Sequence, residues 1–494
     1  MICHRMVLCF FVLFSTAGWS SVFVRWTQPD LPPSRDLGIS DLVVSWDDAT
    51  SSFVNIAQRQ GYRVYAEVQL QRAATAAESA GKKGLAGLVL DVADSDRAAA
   101  ESALQRLRSA HPNLRVLVLN RHGKQPQMRG TLVIKRDSVL EVSSPTAQPW
   151  IDTNLALIKV QQRSHPGQLP LYSFSWNGSN PGEQQQAITP NDYSLAVAEA
   201  CAFHADVMLE LEDRVQKALG EQNPQAKIFW KQVRPYVDFC AHAGEQGLEA
   251  AANVAVVVDD LDTSDEAMNL LARHNIPFKV FLPTDLKVED LKSFDVVVVF
   301  AKGDRATFDR IGNLAARGKT VVVVDAHGTY PWQTHEAVRV NEHTLSFAVG
   351  NGKILELSEP VIDPETFAQD IRRLLGKQNV LMSLWNGLTT IAVPYRVHGG
   401  TVKVLEFINY SAEPVRVQVQ LKGSFSAIRY ETPGQECCRT LVSVKHDGFT
   451  EFVIPDLMIA GRVHLEADRA ADSKVGRGSR WRNLRINNVW RSDR

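Results

Sequence analysis

Between Leu42 and Asp213 the apolar positions fall into short runs separated by longer amphipathic stretches. L-V-V-S-W-D-D (Leu42–Asp48) precedes a helical pattern ending at Gln60, and R-V-Y-A-E-V-Q (Arg63–Gln69) precedes an alanine-rich stretch. L-A-G-L-V-L-D (Leu85–Asp91) precedes D-R-A-A-A-E-S-A-L-Q-R-L-R, and L-R-V-L-V-L-N (Leu114–Asn120) follows. Strand then helix, repeated, predicts parallel strands joined by right-handed crossovers. Val139–Ser144, Leu169–Trp176 and Ala205–Asp213 extend the series to seven barrel-like strands. The eighth is missing, supplied by Val22–Trp26, or hidden before Asn253. The predicted fold over 21–252 is therefore a (β/α)-barrel, ahead of an open doubly wound sheet. In A-D-V-M-L-E-L-E-D the period of two puts Val207, Leu209 and Leu211 on one face, and Met208, Glu210 and Glu212 on the other. In a closed barrel that second face is the lumen.

The pattern changes twice more. Over 253–345, N-V-A-V-V-V-D-D, I-P-F-K-V-F-L-P, F-D-V-V-V-V-F-A and K-T-V-V-V-V-D-A are valine-rich runs separated by helices. Such runs predict strands buried on both faces of a parallel sheet, a flavodoxin-like α/β unit. It lacks G-x-G-x-x-G and the P-loop pattern, so no cofactor is expected; it reads as structural and is the candidate subunit interface. A bridging segment, 346–378, leads to short alternating strands over 379–466, which predict an antiparallel β-sandwich. The tail, 467–494, is polar and arginine-rich, and reads as disordered.

At 494 residues the chain is too long for one core, and a formal net charge of −1 with 22% charged residues gives no footing for nucleic acid. M-I-C-H-R-M, an apolar run and small residues over 1–20 have the form of a secretory signal, which implies a secreted or periplasmic chain; the alternative is an uncleaved N-terminal anchor. Of the cysteines outside the signal, Cys201 and Cys240 fall on predicted helices of one domain and suit a disulfide in an oxidising compartment. Adjacent Cys437 and Cys438 make a strained bridge at best. No C-x-x-C occurs, and no metal is expected.

Barrel enzymes place their chemistry at the carboxyl ends of the strands. Those ends offer Trp46, Asp47 and Asp48; Glu67; Asp91; Asn120; Glu141; Trp176 and Asn177; Glu210 and Glu212; with Trp150, Asp152 and Asn154 in the loop after the fifth strand. Carboxylates, amides and indoles are the set that grips a sugar, by stacking on the ring and bonding its hydroxyls. Glycoside hydrolysis needs one carboxyl group as acid and a second as nucleophile or base. Taken singly, each carboxylate also fits a helix cap or a rim ion pair, and each tryptophan a lid on the core. S-W-D-D-A is similar to the start of polysaccharide deacetylases, but no histidine pair accompanies it. The nucleophile elbow G-x-S-x-G of a serine hydrolase is absent.

In domain order the chain resembles the three-domain β-galactosidases and related clan A glycoside hydrolases. That family carries its acid as the Glu of an Asn-Glu pair ending the fourth strand, and its nucleophile as a Glu ending the seventh. The resemblance matches Asn120, puts Arg121 where the acid belongs, and carries over Glu212 as the nucleophile position. It implies a carbohydrate substrate, with the proton supplied by Asp91, Glu67 or Glu141, or else a barrel that binds glycans without cleaving them.

Overall fold

The computed structural model describes residues 20–92, 97–119, 133–136, 139–142, 153–165, 171–174, 188–242, 247–259, 261–300, 302–411 and 413–468. The segment read as an export signal and the C-terminal tail lie almost wholly outside these residues.

The first unit is a parallel sheet of β1 (Val22–Arg25), β2 (Asp41–Ser45), β3 (Arg63–Gln69), β4 (Gly87–Asp91), β5 (Arg115–Leu119), β8 (Leu171–Tyr172) and β9 (Asp206–Glu210). Its order is β5-β4-β3-β2-β1-β9-β8, and β5 and β8 approach within 8 Å at Cα, so the sheet is nearly closed. The alternation decides what each strand buries. Phe23, Val43, Tyr65, Val89, Leu117, Leu171 and Met208 form one cluster inside the cylinder. Their neighbours Val24, Leu42, Val44, Val64, Leu88, Val207 and Leu209 face the helices outside. β1 pairs with both β2 and β9, which makes Val22–Arg25 a barrel strand and the first in order.

One expected strand is placed differently. Val139–Val142 (β7) pairs antiparallel with Val133–Arg136 (β6) in a separate two-stranded ribbon, not with the barrel. Glu141, expected on a barrel strand, therefore stands in a hairpin opposite Ile134.

The helices are held at their ends by side-chain caps. Thr50 accepts from the Phe53 N–H (3.2 Å) and Asn223 from the Gln225 N–H (2.8 Å), satisfying donors that a first turn leaves open. A disulfide joins Cys201 and Cys240 (Cα–Cα 5.8 Å), tying helix Pro190–Ala202 to helix Pro224–Ala241.

β10 (Leu248–Ala250) leaves the barrel segment to join a C-terminal sheet. The middle sheet follows: β11 (Val254–Val257), β12 (Phe278–Phe281), β13 (Val296–Val299), β14 (Thr320–Val323), β15 (Ala337–Asn341), β16 (Thr344–Val349) and β17 (Gly352–Leu357). β12-β11-β13-β14-β17 are parallel, the strand order of flavodoxin-type sheets, and β16 and β15 add an antiparallel margin. The unit thus runs past 345: β17 and helix Pro364–Leu375, placed by the sequence in a bridging segment, pack in and on this sheet. Its valines are buried on both faces, as a doubly covered sheet requires. Val254, Val256, Val296 and Val298 join the core shared with the barrel helices, while Val257, Val297 and Val299 line a second core.

Two antiparallel sheets end the chain. One contains β10, β19 (Thr390–Val397), β20 (Val402–Asn409), β26 (Ala460–Ala467), β22 (Phe425–Glu431) and β23 (Arg439–Thr440); the other contains β18 (Met382–Trp385), β21 (Val415–Lys422), β25 (Phe449–Leu457) and β24 (Ser443–His446). Leu405 and Phe407 point between the sheets, whereas Ile391, Val393, Tyr395, Val404 and Ile408 pack on the barrel shell. Hydrogen bonds fix that contact: the Tyr395 hydroxyl donates to the Ala202 carbonyl (2.6 Å) and the Tyr410 hydroxyl to Glu199 (2.6 Å). Among the described residues, no helix is long and apolar enough to cross a membrane.

Candidate functional site

The lumen is layered. Its middle is the apolar cluster centred on Phe23, Tyr65 and Met208, so the barrel is plugged rather than a pore. Below it, at the amino ends of the strands, charges meet in pairs. Arg63 Nη2 lies 2.6 Å from Asp41 Oδ2, and Arg115 Nη2 lies 3.3 Å from Asp206 Oδ2. Asp206 also accepts the Ser21 N–H at 2.6 Å. Burial pushes the Asp206 carboxyl up to about 6, against the opposing pull of the Ser21 bond and Arg115.

Above the plug, the last lumen-facing positions are Arg25 on β1, Ser45 on β2, Glu67 on β3, Asp91 on β4 and Glu210 on β9. Each is two residues beyond a member of the apolar cluster, which is why the period of two aims it inward. Arg25 Nε binds Glu67 Oε2 at 3.0 Å, and Glu210 is the cross-strand partner of Arg25. Glu67 stands opposite Val89 and Asp91 opposite Gln69, so Glu67 and Asp91 are diagonal neighbours on adjacent strands. Two residues of rise and one strand spacing put their Cα atoms about 8 Å apart. Asp91 Oδ1 is buried and, among the described residues, meets no hydrogen-bond partner. A mouth with one arginine-bound carboxylate, a second beside that arginine, and a third with a buried open oxygen has the groups for proton transfer and for binding hydroxyls.

Other predicted positions fall elsewhere. Glu212 stands two residues past the end of β9 at the N-cap of helix Asp213–Gly220, with its carboxylate held by Arg214 Nη2 at 2.8 Å. Trp46 packs against the core shared with the helix shell, and Lys83 Nζ sits 4.0 Å above its ring. Asp47 is exposed and lies 3.6 Å from Arg72, while Asp48 accepts from the Ser45 hydroxyl at 2.6 Å in the turn after β2. Asn154 begins helix Leu155–Ser164 and donates from Nδ2 to Glu199 at 2.7 Å. Burial raises the Glu199 carboxyl, opposed by its bonds to Asn154, Tyr410 and Thr153, in a network that ties barrel to sandwich. Asn120, Trp150, Asp152, Trp176 and Asn177 lie outside the described residues. Sequence reasoning passed over Arg25 and Arg115; the signal for both was parity, since each shares a face with Phe23 or Leu117.

No protein-family model matches the chain, and comparison with the curated proteins gives no match. Solved structures do resemble it. The alpha-L-fucosidase isoenzyme 2 from Paenibacillus thiaminolyticus superposes with a TM-score of 0.58 at 12% identity, over 91% of this chain and 100% of the other. Gan42B, a GH42 beta-galactosidase, gives 0.58 at 9% identity over 92% and 99%. The cold-adapted beta-galactosidase from Rahnella sp. R3 gives 0.51 at 10% identity over 90% and 99%. The chain shares the overall fold of these structures. Within that architecture, counting from β1 changes the correspondence drawn from sequence. Counted from β1, the fourth strand in chain order is β4, which ends at Asp91, whereas the sequence reading ended its fourth strand at Asn120 and Arg121. Glu212 follows β9, which pairs with β1.

Proposed function

We propose that this chain is an exported glycoside-hydrolase-like protein whose carbohydrate site is the carboxyl-end mouth of the barrel. Asp91 is the proton-donating carboxyl and Glu67 the second carboxylate, with Arg25 and Glu210 beside them. The observation that carries the reading is the inward-facing set Arg25, Glu67, Asp91 and Glu210, contributed by four strands above an apolar plug. Support also comes from the fold, whose solved relatives include a fucosidase and β-galactosidases. The Cys201–Cys240 disulfide agrees with export to an oxidising compartment. Self-association would use the middle unit, where β15 is an edge strand with Val338 exposed.

A second reading, glycan binding without cleavage, is favoured by one specific feature. Two of the candidate carboxylates, Glu67 and Glu212, are already bound by arginines. Hydrolysis of a panel of aryl glycosides by the wild type, Asp91→Asn, Glu67→Gln and Glu212→Gln separates the readings. The hydrolase reading expects turnover in the wild type and its loss in the first two variants. Binding of oligosaccharides with no turnover of any substrate establishes the second reading instead.

A further inference from the structure

Away from the barrel, on the C-terminal sandwich, four ligand-type side chains converge. Glu431 ends β22, His464 lies on the neighbouring strand β26, and Cys437 and Cys438 occupy the loop between β22 and β23; one ligand atom from each lies within 4.8 Å of all the others. The sheet register fixes two of them. Glu431 pairs across the strands with Arg462, so His464, two residues on, shares its face, and His464 Nε2 lies 3.0 Å from Glu431 Oε2. The loop is anchored as well: Gly434 takes a left-handed φ of 75° against Pro235 of helix Pro224–Ala241, where an added Cβ would stand 3.3 Å from the proline ring. The Glu431 carboxylate is also held by a neighbouring guanidinium. Buried Arg462 is flanked by Glu406 and by Glu431 (3.3 Å), two carboxylates to one guanidinium.

We propose that Glu431, Cys437, Cys438 and His464 form a zinc site gated by the redox state of the adjacent cysteines. Two thiolates, one imidazole and one carboxylate oxygen are a donor set suited to tetrahedral Zn²⁺. The two sulfurs are bonded to each other in the structure, and in that form they offer no thiolate. A dithiol reductant opens the bridge: two electrons and two protons pass to the cysteines, and the reductant is oxidised to its own disulfide. Each thiol then releases its proton to water as its sulfur binds zinc.

The test is zinc uptake by the full chain, read by competition with a chromophoric chelator before and after mild reduction and removal of the reductant. Thiol counting identifies conditions that free two cysteines while the buried Cys201–Cys240 bridge stays closed. The reduced chain is expected to take up one more Zn²⁺ than the disulfide form. Cobalt substitution should give a thiolate charge-transfer band, and His464→Ala should weaken binding at least tenfold. The variant Cys437→Ser/Cys438→Ser, with an unchanged melting temperature, should lose the site in both redox states. Equal uptake by reduced wild type and the double-serine variant, or none by reduced chain with native circular dichroism, overturns the proposal.

Discussion

The two ends of the barrel lumen use the same kinds of side chain to different effect. At the amino end, Asp41 and Asp206 each meet an arginine from a neighbouring part of the cylinder, and Asp206 also takes the Ser21 N–H as the chain enters β1. At the carboxyl end, among the described residues, one arginine, Arg25, stands among Glu67, Glu210 and Asp91. Among the described residues, the floor pairs each of its carboxylates with a guanidinium, whereas the mouth brings three carboxylates around Arg25. That excess is what a polyhydroxylated ligand or a proton transfer can use, and it is why we assign stability to one end and chemistry to the other.

The largest effect that sharpens this contrast is at Asp91. In the hydrolase reading Asp91→Asn removes the proton donor, and aryl glycoside turnover falls by about 10²- to 10⁴-fold with little change in melting temperature. Next is the floor. Arg115→Ala leaves Asp206 buried without its cation and should lower unfolding free energy in urea by about 1–3 kcal/mol, a range reduced because Arg115 is partly exposed. Glycan binding at the mouth should survive in that variant.

The pH dependence of Asp206 gives an effect of similar or smaller size. Its folded value of about 6 lies above the ordinary carboxyl value of 3.8, so the native state holds the proton more tightly. This contribution is fully present below about 4 and is lost as pH rises through about 6. Relative to the wild type, Asp206→Asn should therefore gain stability between pH 4 and pH 7, by at most about 3 kcal/mol. Smallest of all is Asp47→Ala. The exposed 3.6 Å pair with Arg72 is worth less than about 0.5 kcal/mol, and turnover should not change.

How much of this was legible in the sequence varies with the rule involved. Period two is a local property of the chain, so the inward aim of Met208 and Glu210 and the double burial of the middle-sheet valines could be read directly. Strand count is not local. V-F-V-R is short, and only its pairing with β2 and β9 makes it the first stave, which moves the fourth-strand position to Asp91. Glu141 was misplaced because V-L-E-V alternates equally well in a stave or a hairpin. The hairpin signal was present, since V-I-K-R and V-L-E-V are two alternating runs separated by only two residues. Trp46 and Asn154 carried a sugar-binding residue type, but a type does not specify a neighbour; Lys83 and Glu199 come from other helices. The middle unit was cut short at 345 because β16 and β17 follow an antiparallel turn back, a break in the strand-helix rhythm that looks like an exit from the sheet.

Amide hydrogen exchange, with and without the oligosaccharide that binds tightest in a panel, tests the division of the lumen most directly. Protection is predicted at the carboxyl-end amides, such as Trp46, bonded to the Glu67 carbonyl, and Val92, bonded to the Leu119 carbonyl. The amino-end amides of Arg63 and Ala86 should not change. Protection confined to the amino end, or to the middle sheet, would contradict the account.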